Sequence, residues 1–173
     1  MCLKDSKRIG VEPGGKKVYK FLVRKKDDPE GLYRSPYYDH YWRTGEVSTK
    51  CEMTDHTGGF VDLQETIKTL KYIRYVNEIK GGGYHSYQTL DGALYDGAGL
   101  YMYWSTNEKR VFGKSDIVIA ECTIPDDCEY VFEGWCGDNA SYVSEKIRLD
   151  RVIETMTEEW AIKLLSQKYA TKT

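Results

Sequence analysis

The sequence predicts a single α+β domain, a mainly antiparallel twisted sheet of about five to seven strands with two main helices packed on one side. Three observations predict it. Residues 116–125 contain the unbroken apolar run Ile117 to Ala120 and end at Pro125, the pattern of a strand buried on both faces. Leu63, Ile67, Leu70, Ile73 and Val76 recur at intervals of three and four, which predicts an amphipathic helix over 62–79. Trp160, Ile162, Leu164 and Leu165 follow Thr157, a hydroxyl able to cap a helix over 157–169.

The remaining elements follow in chain order. Pro13-Gly14-Gly15 makes a turn into a first strand at 16–24, dense in β-branched and aromatic residues. After an acidic turn at 27–31, the stretch 32–45 is irregular, because Pro36 lacks an amide donor and forces Ser35 to be extended. The aromatics there either cap the core or form a recognition wall. The helix over 62–79 stops at Gly81-Gly82-Gly83, and 84–88 reads as a strand. Thr89 caps a short helix at 89–94, ended by Asp96-Gly97-Ala98-Gly99, and a further strand covers 100–104. Past Pro125, Asp126-Asp127 turns into a strand at 129–133, and Ile147 and Leu149 alternate within a strand region at 142–153.

Composition narrows the function. With 25 basic against 27 acidic residues, the net charge of −2 gives no global attraction to nucleic acid or to an anionic membrane. The basic cluster Lys16, Lys17, Lys20, Arg24, Lys25 and Lys26 reads first as a solvated strand edge and second as an anion-binding face. No apolar run is long enough to span a bilayer, and the start of the chain lacks the apolar core of a secretory signal, so a cytoplasmic protein is expected. Five cysteines without framework spacing read as free thiols. Cys122, Cys128 and Cys136 contain no CxxC pair and the histidines lie far upstream, so no metal site is expected. Cys2 is read as a small strand residue rather than a nucleophile.

The stretch from Gly81 to Asp91 is the strongest pointer to a site. Three consecutive glycines cost backbone entropy that a plain turn avoids, and they allow close approach of a ligand or of another backbone segment to His85, Ser86 and Tyr87. Tyrosine is over-represented, with 15 residues against 4 Phe, and clusters at Tyr33/Tyr37/Tyr38/Tyr41, Tyr84/Tyr87 and Tyr101/Tyr103. A tyrosine offers a large apolar face at low entropy cost plus a hydroxyl, which suits base stacking and protein interfaces. The expected binding residues are Tyr33, Arg34, Tyr38, His85, Ser86, Tyr87, Tyr101 and Tyr103, with the rings stacking and Arg34 meeting an anion.

The segments Gly83–Asp91, Val118–Pro125 and Tyr142–Leu149 resemble a group of small uncharacterised proteins from phages and gut Bacteroidota, as do the opening Met1-Cys2-Leu3 and the Val18-Tyr19-Lys20 strand. That resemblance implies a phage or mobile-element accessory protein, whose Tyr-rich cleft is expected to capture a nucleotide-like ligand or a host protein. No cofactor is expected on that reading. A looser similarity is to the ADP-ribosyltransferases, which place an Arg or His on an early strand, a Ser or Tyr on a middle strand and a Glu on a late one. It implies NAD as cofactor, with Arg34 binding it, Ser86 orienting the nicotinamide side and Glu145 steadying the ribose as positive charge develops; in an alternative register His85 opens the set and Tyr101 or Tyr103 is the nicotinamide platform. Two departures stand out: Ser86 is not followed by Thr-Ser, and Val143 stands where a second acidic residue would precede Glu145.

Overall fold

The computed structural model describes residues 2–25, 32–36, 41–48, 53–54, 60–61, 75–80, 83–106 and 115–170. Eleven strands form one sheet, and its hydrogen-bonded pairs are antiparallel. In chain order the strands are β1 (Cys2–Ile9), β2 (Lys16–Lys25), β3 (Tyr33–Arg34), β4 (Tyr41–Trp42), β5 (Val47–Ser48), β6 (Met53–Thr54), β7 (Phe60–Val61), β8 (Tyr75–Lys80), β9 (Tyr84–Tyr87), β10 (Ser115–Ile124), β11 (Val131–Cys136), β12 (Asn139–Ser144) and β13 (Ile147–Thr155). The spatial order is β5-β13-β10-β2-β9-β12-β11-β1-β8. β3 is joined to β2 and β4 to β3, while β6 and β7 pair separately. Two helices, α1 (Leu90–Thr106) and α2 (Glu158–Ala170), pack on each other and on one face of the sheet.

β10 is interior, as its apolar run requires, and its alternation feeds two cores. Ile117 and Ile119 join Phe21, Tyr87, Ala93, Ala98, Met156 and Ala161 under the helices. Val118, Ala120, Cys122 and Ile124 point the other way, into a cluster with Val18, Leu22, Trp42, Tyr84, Val131, Tyr142, Ile147 and Leu149. That second cluster draws on β13 and on β11, which lie on opposite sides of β2 in the strand order. The sheet therefore curls, and this cluster fills its inner face. A smaller group, Leu3, Tyr130, Phe132 and Val143, packs on the outer face near β1.

Both helix starts follow the local chemistry. The Thr89 hydroxyl accepts a hydrogen bond from the Gly92 amide at 3.2 Å, and the Thr157 hydroxyl accepts one from the Trp160 amide at 3.3 Å. Pro125 stops β10 at Ile124, and 126–127 turn as expected.

Four expectations need correction. The sheet holds eleven strands rather than five to seven. Residues 75–80, assigned above to the end of a helix, form β8 and pair with β1, and the rest of that segment, 62–74, lies outside the described residues. α1 does not stop at Asp96–Gly99 but runs on to Thr106, which absorbs the strand expected at 100–104. The small residues there let it approach the sheet: a Cβ added at Gly97 would meet Ile119 Cδ1 at 3.1 Å and Phe21 Cβ at 3.3 Å. Finally, β2 is no edge, because β10, β9 and β3 all pair with it.

Candidate functional site

β9 is the pivot of the site, and its pleat decides which side chains can act together. Successive residues of a strand face opposite sides of the sheet. Tyr84 joins the inner cluster and Tyr87 the helix-side cluster, so Ser86 faces inward with Tyr84 and His85 faces outward with Tyr87. All four are buried. Neither the Ser86 hydroxyl nor either ring nitrogen of His85 has a hydrogen-bond partner among the described residues. A buried polar atom left unpaired costs about 1–3 kcal/mol, so such atoms mark places where something other than stability sets the residue.

The inner face around Ser86 is built by three strands. Ser86 stands opposite Tyr142 of β12. On β2, Lys16, Val18, Lys20 and Leu22 share the inward face. The Lys20 ammonium lies 5.4 Å from the centre of the Trp42 ring and donates a hydrogen bond to the carbonyl of His85, the residue just before Ser86. Trp42 meets Tyr84 edge to face with ring centres 6.1 Å apart, and Tyr33 packs against the same cluster. Lys16 lies over the Tyr142 ring at 5.2 Å. Two ammonium groups, the rings of Tyr33, Trp42, Tyr84 and Tyr142 and an unpaired hydroxyl thus occupy one face, a set suited to a planar group bearing negative charge.

On the outer face, His85 stands opposite Val143. Burial pushes its imidazole down to about 3, with the nearby Lys20 charge adding to the effect, so the ring is neutral at physiological pH. Tyr87, also on this side, donates its hydroxyl to Asp96 Oδ2 at 2.7 Å. The other oxygen of Asp96 accepts from Asn139 Nδ2 at 2.9 Å. This network ties α1 to β9 and β12.

The residues singled out in the sequence are therefore divided. Tyr33 and Ser86 belong to the inner face. Arg34 pairs with Val23 and shares its outward direction, while Tyr33 pairs with Arg24 and shares the inward one. Tyr87 is locked under α1, and Tyr101 packs into the helix-side cluster. Tyr103 is 65% exposed on α1, and Tyr38 lies outside the described residues. Glu145 sits in the turn between β12 and β13 rather than on a strand, and its Oε2 accepts from the Glu129 amide at 2.8 Å. Lys146 is turned to Asp127, 2.8 Å away, which raises the lysine's pKa. A transferase of the kind described above needs its three groups at one ribose. Arg34 and Ser86 instead stand on opposite faces, and the Glu145 carboxylate is engaged by backbone.

Gly83 has a reason of its own. Its φ is +101°, and a Cβ there would meet Val143 Cγ1 at 2.8 Å and the Ser144 carbonyl at 2.9 Å. The close approach permitted by this glycine is to the neighbouring backbone. Lys16, Lys20, Trp42 and Tyr142 were not singled out as site residues from the sequence. The signal was present in the alternation Lys16-Val18-Lys20-Leu22, which places two lysines on the apolar face of a central strand.

Burial pushes the Cys122 thiol up to about 12 and the Cys128 thiol up to about 11, which removes both as nucleophiles at neutral pH. Among the described residues no three potential metal ligands gather, and no helix is long and apolar enough to cross a membrane. Compared with protein-family models, curated proteins and solved structures, the chain matches none.

Proposed function

We propose that this protein is a binding module that takes a nucleotide-like ligand against the inner face of its curled sheet. The single observation that carries the reading is the Ser86 hydroxyl, fully buried and unpaired among the described residues, on the same face as a lysine ammonium held over a tryptophan ring. Trp42, Tyr84 and Tyr142 are buried together in the free protein, so on this reading a ligand enters by parting these rings, with Lys20 supplying charge and Ser86 a directed hydrogen bond. The resemblance to phage and Bacteroidota proteins supports an accessory role in a mobile-element setting.

A thermal-shift screen with linear and cyclic nucleotides tests it. A ligand at a hundred times its Kd stabilises the fold by about 2.7 kcal/mol, enough to raise Tm by roughly 5–10 °C in a chain of this size. Ser86→Ala is expected to keep or slightly raise the Tm of the free protein, since it deletes an unsatisfied group, while reducing the shift caused by ligand. Lys20→Met is expected to reduce the shift further. No shift with any nucleotide, together with a stable complex drawn from host lysate, would replace the ligand reading with capture of a host protein.

A further inference from the structure

Trp42 reaches the inner cluster on a short length of chain that crosses the curl of the sheet. β4 is joined to β3, which lies against β2, whereas β5 lies against β13, on the far side of β10. Residues 43–46 carry the chain from one to the other, so 41–48 is a strap drawn across the inner face. Of residues 41–47, Trp42 alone is buried. The strap turns through a hydrogen bond from the Glu46 amide to the Arg43 carbonyl at 3.2 Å. Gly45, at φ +84° with open space where a Cβ would stand, donates its amide to the Leu149 carbonyl at 2.7 Å. Next to it, Val47 pairs with Arg148 and Ser48 with Ile147. By contrast, β10 pairs with β2 along its whole length.

Local opening draws on elements that bury little apolar surface and keep their backbone hydrogen bonds near solvent. A segment with one buried ring and two-residue ladders at its ends is such an element. We propose that this strap opens as a unit within the folded protein, withdrawing Trp42 from the inner cluster while β2, β10 and β13 stay paired. Its use rests on the nucleotide reading above: the strap is the entrance by which a ligand reaches the face that carries Ser86. Cys122 is a built-in reporter of the opening. It is buried in the same cluster as Trp42, and its neighbour on β13 is Leu149, the residue to which Gly45 is bonded.

Replacing Cys2, Cys51, Cys128 and Cys136 by serine leaves Cys122 as the only thiol. Its reaction with DTNB is followed at increasing urea below the unfolding transition, and urea unfolding of the same protein gives the rate that global unfolding alone would allow. Without urea, Cys122 is expected to react at least tenfold faster than that rate and to respond little to low urea, because a small opening exposes little surface. Adding Val47→Cys and Arg148→Cys, oxidised to a cross-strand disulfide, ties the strap to β13 and is expected to slow the reaction at least tenfold. A rate equal to that of global unfolding, with its steep urea dependence, overturns the proposal. So does an unchanged rate in cross-linked protein that circular dichroism shows to be folded. Thermal shifts with AMP, ATP and cyclic AMP test the entrance separately: a shift in the uncross-linked protein is expected to disappear in the cross-linked form. Equal shifts in both forms overturn the entrance and leave the opening standing. No shift in either overturns the entrance together with the nucleotide reading, while the opening is decided by Cys122.

Discussion

At the scale of single residues, His85 gives the clearest expectation. Its imidazole is held neutral down to about pH 3 in the fold, against an ordinary value of 6.5. The unfolded chain therefore binds the extra proton first, and stability conferred by this site is present above pH 6.5 and lost as pH falls toward 3. The loss grows by about 1.4 kcal/mol per pH unit within that window, or about 2 kcal/mol between neutrality and pH 5. Urea unfolding at pH 7.5 and pH 5 checks it: His85→Leu is expected to flatten the pH dependence by that amount relative to wild type. An unchanged slope would mean that the ring finds a proton partner when charged. His85 and Ser86 were legible as candidates because two polar residues sit in a short strand beside a glycine run. Strand periodicity turns them to opposite sides, although the sequence reading grouped both in one binding set. The position of Lys20 over Trp42 was not, because the two meet only when β2, β3 and β4 are assembled, and no local pattern records that pairing.

At the scale of elements, β2, β9, β10, β11 and the β12–β13 region could be read from periodicity and turn chemistry, whereas β1 and the short strands β3 to β7 were not read, and the two misassigned segments share a cause. Residues 75–80 carry Val76 and Ile79, a spacing that fits a helix, and their β-branched side chains equally fit a strand. The hydrogen bonds offered by β1 decide the outcome. In α1, glycine's poor helix propensity argues for a stop at Asp96–Gly99, and contact with the sheet outweighs it. The two glycines differ in consequence. A Cβ at Gly99 meets nothing within 4 Å, whereas one at Gly97 presses on Phe21 and Ile119. Gly99→Ala is thus expected to stabilise the protein by about 0.5–1 kcal/mol through helix propensity. Gly97→Ala is expected to forfeit that gain to crowding. Chemical denaturation of the pair measures the contrast, and equal gains at both positions would show that the helix does not rest on the sheet as described.

At the scale of the whole molecule, the α+β class was legible because amphipathic and fully apolar segments coexist in one chain of moderate length. The strand order was not, since it joins segments far apart: β1 lies between β11 and β8, so that Lys4 pairs with Trp135 on one side and Glu78 on the other. Among the described residues β8 is joined to the sheet through β1 alone. Native-state hydrogen exchange is expected to show the amides of β8 opening together with those of β1 as one cooperative unit. Independent protection of β8 would contradict this arrangement. The same placement bears on biosynthesis. The partners of β1 on β11 leave the ribosome roughly 130 residues after it, a separation that makes for slow, non-local folding. Until then the edge that β11 will cover is open to stray pairing with other nascent chains. The exposed Lys4 and Lys7 are charges of the kind that discourage such pairing.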